Sequence, residues 1–425
     1  MKRWLIWGLL ATVFSNSAVC DISGDSRATE VLQIAIAAFC KDAKLPVNSP
    51  EFLAKARILK QGPISESGGP VGWTTDLALP DGAILKIMRI APDGVVRRIV
   101  TDYYAPTPRG PRAILSAAAN SNCQLVEGRR IVYDGRGAPV SIEYLDSKLA
   151  LTGRHDPVNP PVPTGTDPAG VSVALIDSGV NYLLPAIAHA LARDVQGRIL
   201  GFDFWDMDDR PFDADILLSP FAPRRHGTQV AGVLLSEAPQ IRILPYRYPG
   251  FQPARMEDLI RDLVGKGVVI VNIAITSPDE RRWNPFYKAA LAHPQVLFVV
   301  ASGNEGWNID ERPVYPTAYE LPNMVTVAAA DSGGQISPHS NWGAVHVDFA
   351  VRAEGIRTLD FDGRSILVGG SSFASARLTA LVARLLAIHP GWKAPELKAA
   401  LVQRAHSMDS HRRVRYGLLA DPLVP

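Results

Sequence analysis

The sequence predicts an α/β protein, a parallel sheet with helices on both faces, preceded by a small N-terminal α+β domain. Three observations carry this. Residues 171–176, 268–275, 296–301 and 324–329 are near-continuous apolar runs, the composition of strands buried on both faces. Helical apolar patterns at 256–266, 282–293 and 372–388 alternate with them, as in parallel sheets. Residues 21–150 instead read as helices followed by short β-prone runs. A chain of 425 residues exceeds the usual single core, so two folded units are expected.

The chain opens MKRWLIWGLLATVFSNSAVCD, a basic start, an apolar stretch too short to span a bilayer, then small residues. This is the layout of a secretory signal peptide, assigned to residues 1–20, with cleavage after Ala18 or Cys20. A lipid-anchored Cys20 is the rival, and Val19 before it fits that poorly. The expected location is secreted or periplasmic. Cys40 and Cys123 then remain in an oxidising compartment and suggest one disulfide, with two buried thiols as the alternative. No later run is expected to span a membrane. The formal charge of +2 includes Lys2 and Arg3 of the export segment, which leaves no electrostatic reason for a nucleic-acid partner.

Residues 28–41 carry a helical stripe through Val31, Ile34, Ala35, Ala38 and Phe39, and a second helix is expected to start at Ser49 with Pro50 in its first turn. Pro80-Asp81-Gly82, Pro92-Asp93-Gly94 and Asp134-Gly135-Arg136-Gly137 are turn signals and predict an antiparallel sheet. Residues 151–170, LTGRHDPVNPPVPTGTDPAG, read as a Pro/Gly-rich linker to a domain over 171–425.

Ligands of parallel α/β sheets sit at the carboxyl ends of the strands, and the chemistry is concentrated there. One apolar run ends in Asp177-Ser178-Gly179, another in Gly303-Asn304-Glu305-Gly306, and a third in Gly369-Gly370-Ser371-Ser372 where a helix begins. His226 opens a small-residue helix in RHGTQVAG. Each piece alone is usually a turn, a loop or a helix cap. Together they supply what amide hydrolysis needs: a hydroxyl, a base to deprotonate it, a buried carboxylate to hold the base, and donors for the oxyanion. Ser372, His226, Asp177 and Asn304 fill those roles in turn. The remaining histidines, His155, His189, His293, His339, His346, His389, His406 and His411, show no paired metal spacing.

Over roughly 170–401 the chain resembles the subtilisin-like serine proteases, which share the order Asp, His, Ser. The likeness runs through ALIDSGV, HGTQVAGVL, FVVASGNEG, VYPTAY, PNMVTVAAAD, SNWG and GGSSFASARLTALVARLL. It implies a serine endopeptidase acting on protein or peptide substrates, with Asp177, His226 and Ser372 as triad and Asn304 in the oxyanion hole. It places substrate-binding backbone at Ala274, Ile275 and Thr276 and at Ala301 and Gly303, with Val314 at the base of the specificity pocket. Thr276 and Val314 add bulk and predict a narrow pocket. No cofactor is required; calcium is the structural ion the resemblance allows, with Asp206 and Asp208 of GFDFWDMDDRPFDAD as candidate ligands and a solvated acidic loop as the alternative. The pattern departs from the family at Arg225, Gln229, Ser371, Phe373, Ala376 and Arg377. Residues 21–150 are either an inhibitory pro-region or a retained accessory domain. A catalytically inactive binding protein on the same fold and an esterase are the rival functions, and no motif speaks to oligomeric state.

Overall fold

The computed structural model describes residues 22–40, 51–66, 69–248, 250, 252–408 and 411–419. The expected signal peptide over 1–20, with Cys20, and the expected helix start at Ser49 and Pro50 lie outside these residues. The chain divides into two compact units between Val158 and Asn159.

The first unit has helix α1 (Ile22–Phe39), a single turn α2 (Glu51–Ala54) and eight strands. These are β1 (Arg57–Glu66), β2 (Gly69–Ala78), β3 (Ile84–Ile90), β4 (Arg98–Ala105), β5 (Arg112–Asn120), β6 (Leu125–Tyr133), β7 (Pro139–Leu145) and β8 (Leu151–Pro157). Each pairs antiparallel with the next, an unbroken meander. Ala28, Val31, Leu32, Ala35 and Phe39, at helical spacing, share a buried cluster with Leu85, Ile87, Ile99, Leu115 and Ala117 of the strands. The turn signals act as read. In the β6–β7 turn the Asp134 carboxylate accepts the N–H groups of Arg136 and Ala138 at 2.8 and 2.9 Å.

The linker reading of residues 151–170 needs correcting at its start. Residues 151–157 form β8, with Ile142 opposite Asp156 and Glu143 opposite His155. The strand escaped notice because Leu151 to His155 are exposed, so no buried alternation marks it, and Gly153 and Pro157 resemble linker residues. An edge strand needs only a partner's backbone.

Cys40 and Cys123 form a disulfide, Cα–Cα 5.7 Å, tying the end of α1 to the β5–β6 turn. Four of the second unit's strands are those expected: β9 (Val171–Asp177), β12 (Ile270–Ile273), β13 (Leu297–Ala301) and β14 (Met324–Ala330). With β10 (Phe202–Asp203), β11 (Ile241–Arg247), β15 (Phe349–Arg352) and β18 (Gly417–Leu419) they form one parallel sheet in the order β10-β11-β9-β12-β13-β14-β15-β18. A hairpin of β16 (Ile356–Leu359) and β17 (Ser365–Val368) stands apart from it. Helices cover both faces. Val173 and Leu175 of β9 join α4 (Gly227–Glu237), α7 (Ser371–Ile388) and α8 (Ala394–Arg404) in one cluster. Ala174 and Ile176 join α5 (Arg255–Gly265) and α6 (Asn284–Ala292) in the other. A short turn, α3 (Pro185–Ala188), follows β9.

β11 was hidden by Pro245, which argues against a central strand. β10 reaches only Tyr246 and Arg247, so at Pro245 the sheet has an edge and the missing N–H is tolerated. α7 also departs from expectation. By length and composition it would pass for a membrane span, which the sequence reading did not expect, but 78% of it is buried as the central core helix.

The disulfide generates a test. The Cys40→Ser/Cys123→Ser protein should lose roughly 4–5 kcal/mol by the chain-entropy relation for a loop of about 80 residues, read as a lower denaturation midpoint of the first unit alone. An unchanged midpoint counts against the bridge.

Candidate active site

Asp177 is the last residue of β9 and is 1% exposed. Strand register sets it beside Arg247 of β11, and its main-chain oxygen accepts the N–H of Tyr248 at 3.0 Å. Immediately after it the chain turns at Gly179, φ +94°, where a Cβ would lie 2.6 Å from the Phe212 carbonyl oxygen; only glycine fits. His226 caps the start of α4, and its Nδ1 lies 2.8 and 2.9 Å from the two Asp177 carboxylate oxygens. Burial by itself lowers the imidazole's pKa, but the charge and hydrogen bond of Asp177 outweigh it, helped by Asp213 and opposed by Arg224, and the net direction is up. The ring is 35% exposed, which weakens the burial effect and strengthens that direction.

Ser372 stands in the first turn of α7 and is 7% exposed. First-turn N–H groups have no partner inside a helix, so this end offers donors to a developing negative charge. Asn304 is exposed on the loop after β13, and its Oδ1 accepts the N–H of Ser371 at 2.9 Å. That bond assigns the amide's orientation and leaves Nδ2 as a donor. Gly370, φ +118°, permits the approach, since a Cβ there would come within 2.9 Å of Asn304 Oδ1. The hydroxyl of Ser371 accepts the N–H of Gly303 at 3.1 Å, joining the helix start to the Asn304 loop. Among the described residues no hydrogen bond links the Ser372 hydroxyl to His226. The neighbouring Phe373 ring lies 6.0 Å from the imidazole, centroid to centroid. Such bonds commonly form only with substrate in place.

Ala274, Ile275 and Thr276, the half-buried segment after β12, line a cleft of about 300 Å³ with Asp177, Ser178, His226, Trp205, Leu217 and Tyr248. Thr276 Oγ1 comes 3.3 Å from where a Cβ on Gly303 would stand, so these two expected substrate positions are adjacent. Ala301 and Val314 are each 1% exposed. Val314 packs with Ile309, Ala328 and Val347 in a core cluster, and the Ala301 carbonyl accepts the Thr317 hydroxyl at 2.7 Å.

The departures from the family pattern find local partners. Arg377 of α7 pairs with Glu237 of α4 at 2.6 Å. Arg225 turns away from the cleft: its guanidinium lies 3.9 Å from the Phe361 ring centroid and donates to the Asp213 carbonyl.

The two candidate calcium ligands do not converge. Asp206 bonds Arg247 at 2.6 Å, together with the fully buried Asp203 at 2.9 Å, while Asp208 bonds Arg210 at 2.7 Å and Asn159 at 2.8 Å. Arg247 is 3% exposed, donates also to the Ala214 carbonyl and lies 4.8 Å from the Trp205 ring centroid. A guanidinium occupies the centre of this loop, and no group of three or more His, Cys, Asp or Glu side chains is placed to hold a metal among the described residues. Asp206 and Asp208 thus point to different arginines and do not form one site together. Three of the six carboxylates in this stretch, Asp203, Asp206 and Asp208, pair with arginines.

Sequence reasoning missed Ser178 and Asp213. Ser178 lay in plain view inside the Asp-Ser-Gly motif; Asp213 was one carboxylate of six in a loop read for metal.

A buried acid paired with an imidazole and a serine at a helix start thus stand where a parallel sheet carries its ligands. The chain belongs to the subtilase family, whose model matches residues 168–418. Similar solved structures include a lanthipeptide protease, 22% identical over 60% of this chain and 88% of that one, TM-score 0.49. Others are a cold-adapted subtilisin-like serine proteinase, 21% identical over 62% and 94%, TM-score 0.48, and the epidermin leader peptide processing serine protease from Staphylococcus aureus, 18% identical over 60% and 75%, TM-score 0.46.

The Arg247 cluster is open to test by substitution. Arg247→Met leaves Asp203 buried without its counter-charge and should cost about 3–5 kcal/mol, read by denaturant unfolding.

Proposed function

We propose that the chain is an exported serine endopeptidase in which Ser372 attacks the scissile carbonyl, His226 is general base and then acid, and Asp177 orients the imidazole. The observation that carries this is the Asp177–His226 contact at 2.8 Å. A carboxylate on Nδ1 fixes the tautomer whose Nε2 lone pair is free to take a hydroxyl proton, and it stabilises the imidazolium that forms. Ser372 gives its proton to Nε2 as its oxygen bonds the carbonyl carbon. The carbonyl oxygen becomes an oxyanion, met by Asn304 Nδ2 and the Ser372 N–H. When the tetrahedral intermediate collapses, the C–N bond breaks and the Nε2 proton passes to the leaving amine. Water then repeats the sequence on the acyl-enzyme and regenerates Ser372. The segment Ala274–Thr276 supplies an edge along which an extended peptide pairs, with Gly303 next to Thr276.

Export is supported by the basic-then-apolar N-terminus and by the Cys40–Cys123 bridge. Residues 21–150, extended by β8, are a pro-region or a retained accessory domain, and self-cleavage within 151–170 that depends on Ser372 marks the former. The rival is an inactive binding protein on the same fold. The two separate cleanly: fluorophosphonate should label Ser372 in the folded wild type, and Ser372→Ala should abolish labelling. Turnover of casein by Ser372→Ala should drop on the order of 10⁶, the magnitude established for subtilisin itself rather than obtained from this chain. A folded wild type that takes no label is the inactive protein.

Activity requires neutral imidazole, and the pKa of His226 is raised. The acid limb of kcat/KM should therefore have its midpoint above the ordinary imidazole value of about 6.5, with activity lost as pH falls through it. A midpoint below that value contradicts the assigned base.

The side chain of Thr276 lines the cleft where a glycine would leave space, which supports a narrow pocket for the residue preceding the cut. A peptide library should return small residues such as Ala there, and a profile dominated by Phe or Arg refutes the idea.

A further inference from the structure

We infer that Asp213 is a positioning residue which acts through Ser178 on the Asp177–His226 pair. The inference rests on the peptidase reading for its catalytic consequence, but the coupling itself is a property of the folded chain. Asp213 is fully buried, and its carboxylate reaches both segments that carry the pair. Oδ1 is 2.6 Å from the Ser178 hydroxyl and Oδ2 accepts the Thr228 N–H at 2.9 Å in the first turn of α4. Ser178 follows Asp177, and its Oγ lies 3.1 Å from Asp177 Oδ1 while accepting the N–H groups of Gly227 at 2.9 Å and His226 at 3.3 Å. One hydroxyl thus clamps the acid-bearing strand to the base-bearing helix.

Proton counting gives the clamp a direction. The Ser178 hydroxyl has one hydrogen and two carboxylates within reach. With its oxygen already accepting two backbone N–H groups, it donates to the nearer one, Asp213. Asp177 Oδ1 is then left to the Ser178 N–H, at 2.7 Å, and to the imidazole Nδ1–H. Were Asp213 neutral, the hydroxyl proton would turn to Asp177 and compete with His226 for the same oxygen. A charged Asp213 therefore keeps the catalytic acid's full acceptor strength directed at the imidazole and adds its own negative potential to it. The charged groups that bear on His226 are Asp177, Asp213 and Arg224; on Asp213 it is Arg225, whose guanidinium donates to its carbonyl. Burial pushes the Asp213 carboxyl up, against the pull of Ser178, Thr228 and Arg225, so this group loses its charge at a higher pH than an exposed aspartate.

The test uses the full chain with labelled histidine. NMR titration of His226, assigned by its loss in His226→Ala, should show a midpoint lower by on the order of half a unit or more in Asp213→Asn, with kcat reduced, KM within about twofold of wild type, and the acid limb moved to lower pH. Ser178→Ala provides the second arm, and it also covers the case in which Asp213→Asn alone does not fold. In the Ser178→Ala background, the further change Asp213→Asn should move the His226 midpoint by clearly less than in wild type, because the mediator is gone. Equal shifts in both backgrounds overturn the coupling through Ser178, and a Ser178→Ala titration and pH profile superimposed on wild type do the same. Because the NMR midpoint needs no turnover, a chain that shows the shifts but hydrolyses nothing retains the Asp213 link and loses only the peptidase reading.

Discussion

The second unit is organised around the need to keep one carboxylate charged at the end of a buried strand. Removing an ion from water costs several kcal/mol unless hydrogen bonds replace hydration, and Asp177 is 1% exposed. It receives the imidazole Nδ1 at 2.8 Å and the Ser178 N–H at 2.7 Å. These donors come from an element 49 residues away and from its own chain neighbour. Both require the chain to turn sharply after β9, which Gly179 allows. The pairing of β9 between β11 and β12 sets where that turn occurs, so sheet register, glycine placement and the start of α4 are parts of one requirement.

Arginine is the second organising element. Arg247 is held by Asp203 and Asp206 under Trp205, Arg377 by Glu237 between α7 and α4, and Arg225 against Phe361. A planar guanidinium with five donors satisfies several acceptors in a fixed geometry. In the loop before the base it also fills, with protein atoms, the kind of carboxylate-rich space that hard cations favour. Arg247 stands in register with Asp177, so the loop's internal cation borders the strand end that carries the acid. The same residue bonds the Ala214 carbonyl next to Asp213, which places two buried ion sites on adjoining backbone.

The departures from the family pattern around Ser372 are accommodated locally. Ser371 keeps a hydroxyl to accept the Gly303 N–H, so the helix start remains tied to the loop of Asn304. Phe373 places an aromatic ring beside the imidazole. Ala376 lies inside an uninterrupted helix, Ser371–Ile388, as a good helix former does.

Local chemistry was legible wherever neighbouring residues decide it. Buried strands such as β9 and β13 appear as apolar runs, the helix of α7 as a continuous apolar pattern, and Asp177, His226, Asn304 and Ser372 as polar residues at the ends of such runs. Turns announce themselves through Asp and Gly. Edge strand β8 and Pro245-containing β11 did not, because their pairing depends on partner backbones that no local pattern encodes. The acidic loop was the clearest ambiguity: a run of carboxylates looks the same whether it surrounds a metal or an arginine. Only the folded chain brought Arg247, 41 residues from Asp206, into that loop, and only it set Asp213, 35 residues from Ser178, beside the Asp177–His226 pair. Sequence alone determined which residue types stand at strand ends and helix starts. Tertiary structure decided which distant charges compensate each other, because the energy of a buried ion depends on its neighbours in space.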